Sequence, residues 1–159
     1  MSSVLSKSAQ KVQEVLNKFN YELDVVELSD STRTAQEAAD AIGCTVSQIA
    51  KSLIFKGKVS GKPILIVASG SNRVNEKAVK AHLGEKLEKA DADFVLEHTG
   101  FVIGGIPPIA HKEPIITVID EDLFQYDEIW AAAGTPHAVF KLTPSILKEI
   151  TNGDIICIK

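Results

Sequence analysis

The chain predicts an α+β fold: one domain spanning residues 1–159, with a mixed, mostly antiparallel, curled β-sheet and flanking helices. Three observations carry that expectation. Helix-period apolar segments and short β-rich runs are interleaved without a strict strand–helix–strand rhythm. Near the middle, two β-rich runs flank the turn segment GKVSGK, which is a hairpin signal. At 159 residues, 45% apolar and 24% charged, the chain has ordinary globular composition and can bury a core without metal or disulfide.

The elements follow in order. Ser6 to Phe19 places Val12, Val15, Leu16 and Phe19 at helical spacing, and Tyr21 to Leu28 reads as a strand. Thr34 caps a helix over AQEAADAI, with Glu37 completing a capping box and Gly43 as the stop. Val46 to Ala50 reads as a second short helix. Ser52 to Phe55 and Pro63 to Ala68 form the hairpin strands, and SGSNRVN is loop. Glu76 to Leu83 is a helix capped by Asn75 and ended by Gly84, and Ala92 to His98 is another, ended by Gly100. Ile115 to Ile119, Glu128 to Ala133 and Ala138 to Leu142 read as strands. Pro144 opens a helix to Ile150 with Thr143 as its cap, and Asp154 to Ile158 closes as a strand.

Several classes fall away. The longest mostly apolar uncharged stretch, Thr99 to His111, is interrupted by glycines and prolines and is too short for a membrane helix of about 18 residues or more. MSSVLSKSAQ lacks the apolar core of a signal peptide, so a soluble, cytoplasmic protein is expected. Cys44 and Cys157 are isolated thiols, and His82, His98, His111 and His137 show neither HxxxH nor HExxH spacing, so no metal site or other cofactor is expected. GxGxxG, GxxxxGK[ST] and GxSxG do not occur. The net charge is −4, yet Lys51 to Lys80 holds seven basic side chains against Glu76 alone. That segment would steer a phosphate-bearing partner, or its lysines merely decorate the hairpin turn. Duplex DNA is disfavoured by the overall charge and by the lack of a recognition helix.

Three segments stand out as candidates for chemistry. In IAKSLIF, Lys51 sits where a helix hands over to a buried strand. Its ammonium there needs an anionic or carbonyl partner, unless it snorkels to solvent. In TGFVIGGIPP, Gly104 and Gly105 precede Pro107 and Pro108. Such a loop presents backbone N–H groups to a ligand oxygen, or is a tight turn. In AAAGTPH, small residues run into a turn and His137, a group able to exchange a proton near neutral pH.

Together these segments resemble the YbaK family and the editing (insertion) domain of bacterial prolyl-tRNA synthetase. The likeness runs from about Ala9 to Ile158 and includes TAQEAADAIGCTVSQIAKSLIF, SGSNRVNEKAV, the GGIPP loop and AAGTPHAVFKLTP. It implies that family's α+β fold and a deacylase that hydrolyses mischarged aminoacyl-tRNA in trans. The amino acid would be a small one such as Cys, Ala, Ser or Thr. The partners it implies are an aminoacyl-tRNA, on the family pattern tRNA(Pro), and prolyl-tRNA synthetase.

Carried onto this sequence, the family's essential lysine is Lys51, its GxxxP loop spans Gly104 to Pro108, and its histidine is His137. The alanine-specific branch has asparagine directly after the lysine, where this chain has Ser52. On this reading Gly104 and Gly105 stabilise the oxyanion, Lys51 anchors a phosphate or the ester oxygens, and His137 shapes or gates the pocket. Ser52, Ile106, Pro108 and Gly134 line the substrate site, and Arg73 and Lys77 add tRNA-backbone contacts. No protein base is evident, so a substrate group (a tRNA 2′-hydroxyl or a thiol) would activate attack by water. The competing expectation is a non-catalytic tRNA- or nucleotide-binding module on the same fold.

Overall fold

The computed structural model describes residues 5–159; the first four residues of the MSSVLSKSAQ segment lie outside the described residues. Its elements in chain order are α1 (Lys7–Leu16), β1 (Val25–Glu27), α2 (Ala35–Ile42), a 3₁₀ turn (Val46–Gln48), β2 (Ile49–Gly57), β3 (Pro63–Ser69), α3 (Glu76–Leu83), β4 (Leu87–Lys89), α4 (Ala92–Thr99), β5 (Ile116–Asp120), a 3₁₀ turn (Glu121–Gln125), β6 (Ile129–Ala132), β7 (Ala138–Leu142), α5 (Pro144–Thr151) and β8 (Asp154–Ile156). The strands form one sheet in the order β1-β7-β6-β2-β3-β5-β8, with β4 also paired to β2. The β1/β7, β6/β7, β2/β3 and β2/β4 pairs are antiparallel, whereas β2/β6, β3/β5 and β5/β8 are parallel. This is the mixed α+β sheet the sequence predicts. No helix of the described residues is long and apolar enough to cross a membrane.

Helices with local start and stop signals lie where those signals place them. Thr34 accepts a hydrogen bond from the Glu37 N–H at 3.1 Å, and Gly43 ends α2 at φ +87°. Asn75 caps α3, which ends at Gly84, and Thr143 caps α5 with Pro144 in its first turn. Such geometry satisfies the unpaired amides of a helix start, and a glycine takes the left-handed residue at the end without steric cost.

Elements defined by tertiary pairing differ from expectation. The Thr45/Gln48 capping box does open a helical turn, but only to Gln48, because Ile49 and Ala50 pair with Trp130 and Ala131. Tyr21 to Leu28 yields only the three paired residues of β1. The Gln13 side chain takes the Leu23 carbonyl and the Val25 N–H, removing those groups from the ladder. β4 has no counterpart in the sequence reading: Glu88 and Lys89 are poor strand formers, and Leu87 alone of the three is buried.

The sheet separates two main apolar clusters. Ala50, Ile54, Leu65 and Val67 face the larger one, with α1, α5 and Phe101, Phe140 and Leu147. Ile64, Ile66 and Ala68 face the smaller one with Val79 of α3. A third cluster, Ala38, Ala39 and Ile49 with Trp130 against it, seats α2 over the start of β2. That last contact positions the site.

Candidate functional site

Strands β2 and β6 run parallel for only two residue pairs before they part, and β2 finds β4 on that side again only at Phe55. A cavity of about 230 Å³ lies at the parting. Alanines on every wall make the space: Ala35 and Ala38 of α2, Ala50 of β2, and Ala131 and Ala132 of β6. Thr32, Arg33, Lys51, Ser52, Gly104, Ile106 and Trp130 complete much of the lining. The volume is below the roughly 300–1,000 Å³ of a drug-sized ligand site, which limits it to a small group.

Lys51 is half-buried, and its Nζ donates to the Gly70 carbonyl at 3.4 Å. Burial holds its pKa below that of an ordinary lysine. The neighbouring Arg73 cation pushes the same way, and the Asp120 carboxylate opposes both. Two cations near one carboxylate leave excess positive charge beside the cavity, a setting that favours an anion. Asp120 is fully buried. It accepts from the Ser69 N–H at 3.0 Å, the Asn72 amide at 2.8 Å and the Asp122 N–H at 2.9 Å. It therefore shapes the loop that carries the Gly70 carbonyl and Arg73.

The glycine loop forms a tight turn in which the Gly105 N–H donates to the Val102 carbonyl at 3.1 Å. Gly104 occupies the third position at φ +96°, a region that favours glycine. Its N–H meets no acceptor among the described residues, and Gly104 lines the cavity. The expected pair of free amides is therefore reduced to one, since the turn uses the other. Gly105 is instead a packing residue: a Cβ there would lie 2.8 Å from the Thr135 backbone.

The remaining expected residues divide by location. Ser52 and Ile106 line the cavity. Gly134, at φ +100°, donates its N–H to the Gly105 carbonyl at 2.9 Å and so ties the two loops together behind the site. His137 is exposed and is not among the cavity's lining residues. Its ring Nδ1 lies 3.1 Å from the Asp30 carbonyl, and its own carbonyl accepts from the Leu28 N–H at 2.8 Å. Its place is that of a brace for the segment leading to Thr32. Pro108 lines a second cavity of about 450 Å³ beside His111. Lys77 lies exposed in the first turn of α3.

The basic segment does not form one face. Lys51 stands near the start of β2, whereas Lys58 and Lys62 flank the hairpin beyond its far end, about 20 Å away at roughly 3.3 Å per residue. Lys56 instead lies over the Phe94 ring at 5.5 Å. Burial pushes the Cys44 thiol up, the opposite of what a nucleophile needs.

His111 tests how the loop is held. It is mostly buried, and its Nε2 lies 2.7 Å from the Pro107 carbonyl, so it carries the proton that this bond needs. Desolvation holds its pKa below the free value of 6.5, with the nearby Lys11 acting the same way and the Pro107 bond opposing. The unfolded chain thus binds this proton more readily than the folded one. Stability is fully present above pH ~6.5 and is lost as pH falls through the depressed folded value. Urea midpoints measured between pH 8 and 5 are expected to fall on the acid side. His111→Gln should flatten that limb, and an unchanged limb would refute the assignment.

Residues 29–150 match the model of the aminoacyl-tRNA editing domain. The chain belongs to that family. Among relatives of this editing domain, the uncharacterized protein YwhH of Bacillus subtilis is 33% identical over 144 residues, covering 91% of each chain. EbsC of Enterococcus faecalis, a proposed Cys-tRNA(Pro)/Cys-tRNA(Cys) deacylase, is 29% identical over 126 residues, 79% of this chain and 76% of that one. A crystal structure of a proposed trans-editing enzyme for prolyl-tRNA synthetase superposes with a TM-score of 0.92 at 44% identity, covering 98% of this chain and 99% of that one. These matches agree with the resemblance drawn from the motifs. Sequence reasoning passed over several residues at or beside the site, Thr32, Arg33, Asp120 and Trp130 among them. Arg33 was signalled only by its place just ahead of the α2 cap, and Asp120 by an acid ending the apolar run ITVID.

Proposed function

We propose that this editing domain hydrolyses, in trans, the ester of an aminoacyl-tRNA carrying a small amino acid, on tRNA(Pro). The observation that carries this reading is Lys51: a half-buried cation beside a cavity of about 230 Å³, with an uncharged carbonyl at 3.4 Å as its partner. The cavity would take the aminoacyl side chain, and Lys51 with Arg73 would hold the terminal phosphate or ester oxygens. Water's oxygen bonds to the ester carbonyl carbon, and the bond to the terminal ribose oxygen breaks. The proton from water ends on that ribose oxygen. The Gly104 N–H is the backbone donor for the transient oxyanion, and a substrate hydroxyl activates the water.

The test is release of amino acid from tRNA(Pro) charged with alanine, cysteine, serine or threonine. Cleavage of at least one supports the reading. Binding of the acceptor end without any cleavage would make the chain a binding module instead. Arg73 lies exposed on the loop beside Lys51. Arg73→Ala is expected to lower the slope of log affinity against log salt by about one, at little cost at low salt. An unchanged slope would remove Arg73 from the phosphate contacts.

A further inference from the structure

Two residues of the cavity lining carry buried hydroxyls that lack partners. Thr32 is 5% exposed and its Oγ1 has no hydrogen-bond partner; Ser52 Oγ is likewise buried and unpaired. Among the described residues they are the two buried side-chain polar atoms in this state, and both residues line the one cavity. Neighbouring hydroxyls are all engaged. Thr34 caps α2, Ser31 Oγ accepts from the Arg33 N–H, and Ser69 Oγ donates to the Ser47 carbonyl at 2.7 Å. Neither unpaired residue is free to move away. The Thr32 N–H donates to the Pro136 carbonyl at 2.6 Å, and Ser52 is held opposite Val67 in the β2/β3 ladder.

We propose that Thr32 and Ser52 read a hydroxyl on the substrate's side chain, so that the domain favours seryl and threonyl esters over alkyl isosteres. This rests on the deacylase reading above. A hydroxyl donates one hydrogen bond and accepts others, so a substrate hydroxyl can both give to and receive from this pair. A methyl in its place would cover the same surface and leave both protein hydroxyls desolvated and unpaired. Rejection of that kind is far stronger than what an apolar pocket achieves by size alone, where one methylene changes the rate only ~10–200-fold. Thr34, the other hydroxyl-bearing residue of the lining, is engaged as the cap of α2, and Ile49, Ile106, Trp130 and Val139 offer no hydroxyl to replace the pair.

The experiment compares tRNA(Pro) carrying serine with 2-aminobutyrate, and threonine with valine; each pair exchanges a hydroxyl for a methyl at constant shape. The wild type is expected to favour the hydroxyl member of each pair by about 10⁴-fold in kcat/KM. Thr32→Val and Ser52→Ala should each lower that ratio at least tenfold, and Thr32→Ser should keep it. A wild-type ratio near one, or variants that slow both members in parallel, would overturn the proposal. Cleavage of alanyl or cysteinyl esters without seryl or threonyl would overturn it too, while the deacylase reading stands. No cleavage of any ester would end both.

Discussion

Lys51→Ala lowers kcat/KM for hydrolysis of mischarged tRNA by about 10²–10³-fold, the usual cost of losing one group that stabilises developing charge. The fold should barely respond. Lys51 lies beside Arg73, with the Gly70 carbonyl 3.4 Å away as its hydrogen-bond partner, so its removal relieves a like-charge contact and breaks one long bond. A shift of urea-unfolding free energy within about 0.5 kcal/mol is expected. Lys51→Arg should not restore activity, because a planar fork cannot stand in for a compact ammonium in a half-buried place. Single-turnover release of the amino acid, read beside the unfolding midpoint, separates the two effects. More than a tenth of wild-type activity in the alanine variant would mean that Lys51 is not the anchor.

Gly105→Ala is expected to cost substantial stability. The new Cβ would lie 2.8 Å from both the Cα and the carbonyl carbon of Thr135 and 2.9 Å from its nitrogen. These are backbone atoms that cannot rotate aside. The two loops must part, which also strains the 2.9 Å bond from the Gly134 N–H to the Gly105 carbonyl. A loss of about 3 kcal/mol, at the upper end for overpacking, is expected, which lowers Tm by roughly 6–12 °C at this chain length. Gly84→Ala supplies the comparison. Its φ is +83° with nothing within 4 Å of the added Cβ, so it carries backbone strain alone, about 1–2 kcal/mol. Equal Tm shifts in the two variants would show that the Thr135 contact yields.

Much of the fold is legible locally. Thr34, Asn75 and Thr143 cap helices, and Gly43, Gly84 and Gly100 end them in left-handed geometry, because these signals act within one turn of chain. β4 and the ends of β1 and β2 are not legible, because pairing with a distant strand sets them. The 3₁₀ turn at Val46–Gln48 shows the two influences competing: a capping box starts a helix, and the Ile49–Trp130 pairing stops it. Of the site, Lys51 and Gly104 stand out by residue type next to a strand or loop signal, Ser52 and Ile106 only through the family resemblance, and all four line the cavity.

Residue order alone was enough to place the lysine at the head of a buried strand, the turn-forming glycines and the capped helices, since each depends on neighbours a few positions away. Folding chose the rest. It split the basic segment between the two ends of the hairpin, used the Gly105 amide inside a turn, and brought Thr32 from before α2 to the same cavity as Ser52 of β2. Those outcomes depend on which distant atoms meet. Hydrogen-bond satisfaction and steric fit are settled only when strands β2 and β6 run together for two residues and then part.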